Sequence, residues 1–454
     1  MAAKHKQDFL YKPETPIIYK LWKGLSFDSS TVKENLIKVE PTIGNDAVNL
    51  NKSTEVTFKY SDETMFLNMA SNQSGFIVKI RFKTQHKPAT ARAAGDPWVD
   101  NEPANITLSN AWFGHLWDSA KISIGGKAIE DIIHFGTVFE TLGLLRGYEY
   151  LNTFGISESI CPDNGTGDTA DTNKGRERRK RVYNYDVPNH ADYREFQAFI
   201  PLHSIFGFCQ DYNRVIRNMP VSITLKRNTD YQNCVFGEAH TNVRFELVEI
   251  NLQIEQIIPS DRALIAIDDY LAKTDTIEVC FRAKACEFSQ GIEGTKININ
   301  IGPTYSSPRY FFIVCKDPAK SVNVQQNFGK LENGNIQNIT VTLGLQKYPE
   351  IDQEANFNQS HYASFYFPLI NVCRELYRNE CALSMEDFKD IYTVFAIDTS
   401  NQSERGKNEA VNVNIKIKRN AIGTGIAKLE YYVIVFYDHW IKMSLKEGKV
   451  SDVA

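Results

Sequence analysis

The clearest pattern of hydrophobic and polar positions lies between Trp112 and Tyr150. Apolar residues first alternate with polar ones, at Ala120, Ile122 and Ile124, which is typical of a strand with one buried face. Gly125-Gly126 then favours a hairpin turn, because glycine adopts positive φ without steric strain. After the turn, apolar residues recur at helical spacing, at Phe135, Val138, Phe139, Leu142 and Leu145. The pattern predicts strand, turn, strand and a short apolar helix that stops at Gly147.

The rest of the first half predicts mainly strands. They are expected at Glu55–Tyr60, Phe76–Lys83, Phe196–Ile200, Val221–Arg227 and Val243–Ile258. The alternation in the last strand slips in phase at Leu247-Val248, which predicts a β-bulge. Residues 84–105 and 160–181 are predicted loops, the second because the segment after Ile160 is poor in apolar residues and rich in Gly, Asp and Thr. Ser260 is a predicted N-cap for a helix over Ser260–Leu271.

The second half repeats this kind of pattern. Strands are predicted at Thr276–Ala285, Lys296–Ile301, Arg309–Cys315, Ile339–Leu343, Ser364–Phe367, Thr393–Ala396, Val411–Lys418 and Leu429–Tyr437. Ser384 is followed by acids at the spacing of a capping box, which predicts a short helix start. Periodicity by itself therefore predicts an all-β chain with two β-sandwich domains that join near residues 256–275.

Bulk composition bounds the class of protein. The chain has 454 residues, 42% of them hydrophobic, and a net charge of −4, so large cores can form and nothing global demands a nucleic-acid or membrane partner. Eight Cys occur without a CxxC pair, which favours reduced thiols over a disulfide framework. No apolar run follows the charged first residues, so we expect no secretion signal. The apolar run Tyr431–Tyr437 is too short for a membrane helix.

The sequence contains no convincing catalytic constellation. Gly423-Thr424-Gly425 imitates half of a dinucleotide fingerprint but lies between two predicted strands, so a plain turn is expected. Nine His are scattered without a metal-binding motif, and His203 is expected to be structural. Asp268-Asp269 are expected to be solvated. We therefore predict no enzyme, no catalytic residue, no cofactor-binding residue, no cofactor and no metal site.

Two segments suggest contacts with other molecules. Residues 1–40 are polar, with seven Lys against four acids up to residue 38, and are interpreted as an N-terminal arm that either tethers a neighbour or is a plain terminus. Arg176–Arg181 carries five positive charges and one acid, Glu177. That segment suggests a phosphate contact, a cleavage site for a basic-specific protease, or only a solvated end of the loop.

Several segments in a shared order resemble the double jelly-roll major capsid proteins of tailless double-stranded DNA viruses and polinton-like elements, the adenovirus hexon lineage. The most specific is PLHSIFGFCQDYNRVIRNMPVSITLKRN, from Pro201 to Asn228. It is preceded by the Trp112–Tyr150 stretch and by Gly75–Phe82, and followed by the linking segment Ile258–Leu271. Residues 306–349 match the second jelly roll in the same loose manner. The resemblance covers about residues 55–445, and its strength is the order of the motifs.

The resemblance implies two tandem eight-stranded jelly rolls with a few short helices. The expected domains are an arm at 1–40, a first jelly roll at 41–258, a linking helix at 259–275, a second jelly roll at 276–445 and a C-terminal tail at 446–454. It implies a structural capsid protein that forms a homotrimer, a pseudo-hexagonal capsomer, and tiles an icosahedral shell.

The implied partners are neighbouring capsomers, penton proteins and minor capsid proteins. An internal membrane or the genome is a further possible partner that the resemblance implies for the arm. No small-molecule substrate is expected. The implied location is the virion, after synthesis in the host cytoplasm or nucleus. Two other classes stay open at this point. A lectin-like jelly roll would use aromatic platforms, for which Trp112 and Trp117 could serve, although both stand beside the apolar helix and are expected to belong to the core. A cupin-like metalloenzyme would need a His cluster, which the sequence does not show.

Overall fold

The structure is a computed structural model, and it describes residues 30–62, 65–86, 99–100, 107–164, 173–183, 186–187, 190–229, 232–236, 241–274, 276–292, 294–321, 326–402, 410–420, 428–444 and 446–453. The strands of the first half are β1 (Thr31–Val39), β2 (Glu55–Tyr60), β3 (Phe66–Asn68), β4 (Gly75–His86), β5 (Val99–Asp100), β6 (Thr107–Leu108), β7 (Trp117–Ile124), β8 (Lys127–Ile133), β9 (Asp186–Val187), β10 (His190–Pro201), β11 (Ile216–Arg217), β12 (Val221–Arg227), β13 (Val235–Phe236) and β14 (Thr241–Pro259). Those of the second half are β15 (Thr276–Ile292), β16 (Lys296–Ile301), β17 (Pro308–Lys316), β18 (Ile336–Leu343), β19 (Gln346–Tyr348), β20 (Phe395–Asp398), β21 (Val413–Arg419), β22 (Leu429–Ser444) and β23 (Lys449–Asp452).

Short helices punctuate the strands. The α-helices are α1 (Ala47–Lys52), α2 (Trp112–His115), α3 (Phe135–Leu144), α4 (Tyr148–Tyr150), α5 (Lys174–Tyr183), α6 (Leu202–Ile205), α7 (Gly207–Asp211), α8 (Asp261–Lys273), α9 (Ala363–Tyr377) and α10 (Met385–Asp390). A π-helical turn spans Leu151–Gly155, and 3-10 turns span Gln232–Cys234, Pro318–Lys320 and Phe357–Gln359. None of the helices in the described residues is long and apolar enough to cross a membrane.

The first half is a sandwich of two antiparallel sheets. One sheet has the order β11-β3-β14-β4-β10-β9, with β1 added on β14 and β5 on β4, and the other has the order β2-β12-β7-β8. The alternation that predicted β7 gives this strand one apolar face, because alternate side chains point to the same side of a sheet. Ala120, Ile122 and Ile124 on that face are all buried in the core. The β7–β8 turn is made by Gly125 and Gly126 at φ of 60° and 80°, a conformation that favours glycine.

The second half is built in the same way. Its sheets have the orders β15-β22-β17-β20, with β23 added on β22, and β16-β21-β18-β19. Ile297 pairs with Ile417 and Ile299 with Ile415, so the alternating isoleucines of two neighbouring strands enter the same core.

The two halves repeat one topology. The order β1-β14-β4-β10 has its counterpart in β15-β22-β17-β20, and β2-β12-β7-β8 has its counterpart in β16-β21-β18-β19. Helices α3 to α5 lie between β8 and β10, and α9 and α10 occupy the corresponding place between β19 and β20. The two-sheet, antiparallel architecture is that of a jelly roll, so we call the halves the first roll and the second roll. The predicted fold class is confirmed.

Several local predictions are confirmed by the structure. The register of β14 shifts between Leu247 and Glu249, where the phase slip predicted a bulge. The Ser260 side chain caps α8 by accepting from the Ala263 N–H, and Ser384 caps α10 by accepting from the Asp387 N–H.

One predicted strand is wrong. Ser364–Phe367 lies in the first turns of α9. The residues that α9 buries follow a helical period: Phe365, Leu369, Val372, Cys373 and Leu376. The four-residue window was too short to distinguish that period from alternation, and Pro368 inside the helix argued against a helix.

The predicted loop at 160–181 also needs correction. Residues 174–183 form α5, in which Arg176 and Arg179 are buried. The sequence lacks apolar periodicity here because charged side chains supply the inward face. Of the other predicted loop, 84–105, β4 extends to His86 and β5 spans Val99–Asp100, while the rest lies outside the described residues.

Both predicted chain ends contain strands. Residues 31–39 of the predicted arm form β1, which pairs with β14 over its whole length, so the sheet begins earlier than residue 41. Residues 449–452 of the predicted tail form β23, which pairs with β22. Both segments form strands because their backbones hydrogen-bond to a neighbouring strand, although their side chains are mostly polar. Residues 1–29 of the arm lie outside the described residues.

Candidate functional site

The interface between the two rolls, which we call the seam, is the candidate functional site. It encloses charged and polar side chains contributed by both rolls, and all of those named next are buried except Asp211 and Arg282, which are partly exposed. The seam residues are Glu130, Glu140, Asp163 and Asp211 from the first roll, and Arg282, Lys284, Lys316 and Tyr392 from the second. Within the described residues, no group of three or more His, Cys, Asp or Glu could hold a metal ion.

The outer edge of β15 docks against α7 of the first roll. The Asp211 carboxylate accepts hydrogen bonds from the Arg282 backbone N–H at 2.9 Å and from its Nε at 2.8 Å. Gly207 approaches the same strand so closely that a Cβ added there would lie 1.9 Å from the Arg282 carbonyl oxygen. Burial acts to raise the pKa of Asp211, but the hydrogen bonds and charge of Arg282 outweigh it and hold that pKa below its usual range.

Glu130 continues this contact one step along β15. Its carboxylate accepts from the backbone N–H groups of Gly207 at 3.0 Å, Phe208 at 3.3 Å and Lys284 at 3.0 Å. The Lys284 ammonium donates to the Ile205 carbonyl at 3.1 Å. Burial raises the pKa of Glu130 and lowers the pKa of Lys284, and the charge of each residue opposes the shift of the other. The carboxylate thus ties a backbone edge of the second roll to α7 of the first roll, and the Lys284 ammonium ties the same strand to α6.

Glu140 projects from α3 toward the end of β17. Its Oε2 lies 3.1 Å from the Lys316 Nζ and 3.3 Å from the His115 Nε2, and its Oε1 accepts from the Asn110 amide at 3.2 Å. Burial acts to raise the pKa of Glu140, but the positive charge of Lys316 and the contact with His115 lower it overall. The Lys316 ammonium also lies 4.2 Å from the centroid of the Phe328 ring, a cation–π contact.

Asp163 is the centre of the largest network. Its side chain and that of Arg179 are both fully buried, with the Arg179 guanidinium 2.5 Å from Oδ1. Arg179 is anchored by the Leu108 carbonyl, which accepts from its Nε at 2.9 Å. From the second roll, Asn327 donates to Asp163 Oδ2 at 2.9 Å, and the Tyr392 hydroxyl lies 3.2 Å from the same oxygen. Burial and the Asp163 charge raise the pKa of Tyr392, so the hydroxyl stays protonated as a donor.

The seam has the properties of a joint rather than a reaction centre. A buried charge is tolerated when a partner and hydrogen bonds compensate its lost hydration. In each of these clusters the compensating groups come from both rolls, so the charges are satisfied in one relative placement only. These ion pairs and hydrogen bonds therefore fix the orientation of one roll relative to the other.

Residues singled out from the sequence occupy structural places. Trp112 and Trp117 are buried and so offer no exposed platform for a sugar. The Asp268 carboxylate is exposed and pairs with Arg217 at 2.7 Å. Burial lowers the pKa of His203 to about 4, so it is neutral at pH 7. Each of the eight Cys is a free thiol. Gly423-Thr424-Gly425 lies outside the described residues.

The basic segment Arg176–Arg181 is not the exposed loop that was predicted. Arg179 is paired with Asp163, and the Arg176 guanidinium lies 5.3 Å from the centroid of the Phe236 ring. The structure brings this segment into the seam network instead of exposing all its charges to a phosphate, a protease or solvent.

Sequence reasoning missed the seam residues themselves. One signal was present, because Glu140 interrupts an apolar run and Lys316 directly follows one, and charged residues are rarely buried unless paired. Their pairing was not visible, since the partners lie 176 positions apart in the chain.

The chain belongs to the double jelly roll-like domain family, whose model matches residues 175–441. A comparison with curated protein sequences finds no match.

Several solved structures with the same fold are viral. The Sputnik virophage structure determined by cryo-EM matches with a TM-score of 0.61 at 10% identity, over 95% of this chain and 90% of that chain. The mavirus major capsid protein matches with a TM-score of 0.55 at 12% identity, over 98% and 94% of the two chains. The Faustovirus major capsid protein matches with a TM-score of 0.53 at 9% identity, over 97% and 96%. At these identities the likeness establishes the fold.

Proposed function

We propose that this protein is a viral major capsid protein that assembles as a homotrimer, a pseudo-hexagonal capsomer, and that such capsomers tile an icosahedral shell. The observation that carries the proposal is the seam, which joins two rolls of the same topology into one unit. A capsid subunit has to keep its shape within the shell. Hydrogen-bonded β-sheets make each roll rigid, and the ion pairs of the seam hold the two rolls in one orientation. The fold shared with the mavirus and Faustovirus capsid proteins supports the same role.

The internal repeat explains why three copies suit the role. Three chains with two similar rolls each present six similar edges around a three-fold axis, so one closed assembly resembles a hexagon. The neighbouring capsomers, penton proteins and minor capsid proteins are the partners that such a tile requires, and its location is the virion. An internal membrane or the genome is the proposed partner of the residues before β1. Subunit contacts of about 2,000 Å² or more are expected for an obligate assembly.

The proposal is tested with the purified full chain. Light scattering coupled to size exclusion measures the mass in solution, and negative-stain electron microscopy measures the outline of the particles. We expect three copies per particle and a six-cornered outline about a three-fold axis. A monomer at all concentrations, or particles with two-fold outlines, would contradict it.

A further inference from the structure

The linking helix α8 is only partly covered by the described part of the protein. None of its 13 residues is buried. One side of the helix carries the positions i, i+3, i+4, i+7, i+8 and i+11, which share a single helical face. We call this side the α8 face, and its residues are Asp261, Leu264, Ile265, Asp268, Asp269 and Ala272.

The α8 face combines apolar surface with negative charge. Ile265 is 64% exposed at its centre, and Leu264 beside it is half-buried. The three carboxylates of the face lie about one turn before and one turn after Ile265, and all three residues are exposed. The two cations of the helix, Arg262 and Lys273, lie beyond one edge of the face. Such a surface is complementary to a partner that is both apolar and cationic.

The first residues of the chain join the structure at this helix. The Ser30 carbonyl accepts from the Ser260 N–H at 2.8 Å, and Thr31 of β1 pairs with Pro259 of β14. Because Ser260 is the N-cap of α8, residues 1–29 connect to the described chain directly beside the first turn of the helix. One exposed isoleucine is ordinary by itself, but here it lies next to the point where that segment enters.

One stretch of that segment has a composition that complements the α8 face. Residues 17–27 read IIYKLWKGLSF. Seven of these eleven residues are large aliphatic or aromatic ones, two are lysines, and none is acidic. Lys20 and Lys23 therefore carry the charge opposite to that of the α8 face, and the apolar residues beside them gain from being removed from water.

The stretch is also close enough to reach the whole face. A helix of 13 residues is about 20 Å long, and the seven residues between Trp22 and Ser30 span up to about 25 Å when extended. A tether this short gives an effective concentration on the order of millimolar. The tether therefore favours the α8 face of the same chain over that of a second copy.

Charge decides between this stretch and a lipid surface as the occupant. Helices that lie on anionic membranes carry Lys and Arg next to their apolar residues. The α8 face instead places three carboxylates around Ile265, which an anionic surface repels. An apolar stretch with two lysines is attracted by the same charges.

We propose that residues 17–27 bind the α8 face of their own chain, with apolar side chains on Leu264 and Ile265 and with Lys20 and Lys23 beside the aspartates. This contact goes beyond the proposed function, because it needs no second copy. It leaves residues 1–16 as the part of the arm that is directed to a membrane or the genome.

Hydrogen exchange measured by mass spectrometry on the full chain tests the contact. We expect slowed exchange of the backbone amides of residues 17–27 in the wild type. Ile265→Lys is expected to speed that exchange at least about 10-fold, because the new ammonium repels the two lysines and removes the apolar centre of the face. Its thermal unfolding midpoint should stay close to that of the wild type, since Ile265 is exposed.

The matched control is Tyr270→Lys. Tyr270 is 56% exposed on the same helix but lies about 140° around its axis from Ile265. The exchange of residues 17–27 is expected to be the same in this variant as in the wild type. Equal exchange in the wild type and Ile265→Lys, or an equal acceleration in both variants, would overturn the contact.

Cross-linking identifies the chain that provides the face. A carbodiimide joins a lysine amine to a nearby carboxylate, so we expect links from Lys20 or Lys23 to Asp261 or Asp269. These links should occur in chains that keep the mass of one copy on a denaturing gel. The same links found only in chains of twice that mass would overturn the assignment in favour of a second copy.

Two further outcomes separate this contact from the roles proposed for the whole protein. Flotation of the wild type with anionic lipid vesicles that is lost in Ile265→Lys would assign the α8 face to a membrane and overturn the inference. A chain that stays monomeric in solution but shows the link within one copy would contradict the proposed trimer and support this contact.

Discussion

The interiors of the two rolls and the seam between them are held by different forces. In the first roll, Phe113 packs against the rings of Phe76, Trp117 and Phe135 at centroid distances of 6.2 to 6.3 Å. The seam instead encloses ion pairs such as Glu140 of the first roll with Lys316 of the second. Apolar burial stabilises without specifying direction, whereas a buried charge is satisfied in few geometries. We infer that the interiors supply stability and that the seam sets orientation.

The largest expected effect comes from removing the cation that pairs with Asp163, a carboxylate of the seam. Arg179→Leu leaves the Asp163 carboxylate buried without its cation, which is expected to lower the free energy of unfolding by about 3–5 kcal/mol. Denaturant unfolding measures the loss. Arg181→Leu, in the same helix but exposed, is the control and should change stability by about 0.5 kcal/mol or less. Equal effects of the two variants would contradict a special role of the buried pair.

A smaller effect is expected from crowding the β15 edge. Gly207→Ala places a methyl group against the Arg282 carbonyl, so the backbone has to move, at about 1–3 kcal/mol. Small-angle scattering is expected to report an altered arrangement of the rolls together with the lower stability. The control is Gly302→Ala, since a Cβ there meets nothing within 4 Å. Unchanged scattering and stability in Gly207→Ala would refute the close approach.

A conservative change inside one roll should act differently. Ile223→Val removes one methylene from the fully buried face of β12 and is expected to lower the free energy of unfolding by about 0.5–1.5 kcal/mol. Because the seam is untouched, the scattering profile should match that of the wild type. A changed profile would show that the interior also sets the orientation of the rolls.

The smallest expected effect is that of acid on Asp211. The effect is small because the Asp211 side chain is partly exposed and because its carboxyl oxygen can still accept a hydrogen bond after protonation. Because Arg282 holds the pKa of Asp211 below its usual value of about 3.9, its stabilising contribution is present above that value and is lost as the pH falls through the folded-state pKa. The gap in unfolding free energy between wild type and Asp211→Asn should therefore narrow as the pH is lowered from 6 to 2.5. A gap that stays constant would exclude this linkage.

Much of the fold could be predicted because alternation in strands is a local signal. Ile122 on β7 and Ile415 on β21 enter their cores at positions where the period of two places them. The errors occurred where another signal dominated. α9 contains Pro368, and α5 turns charged residues inward, so neither segment carried an ordinary amphipathic pattern.

The candidate site could not be predicted to the same extent. Asp163 and Tyr392 are 229 positions apart, and no local pattern announces that two such residues will meet. Charged residues inside apolar runs, as at Glu140, indicate a buried partner but not its identity.

The linking helix α8 carries a further consequence. It spans 13 residues, none of them buried, and it follows the N-cap Ser260 at the end of β14. The peptide that connects the rolls is therefore not what aligns them, because alignment comes from contacts far from it. A nick introduced within this helix should leave two fragments that stay associated, and the same two fragments made as separate polypeptides should find each other.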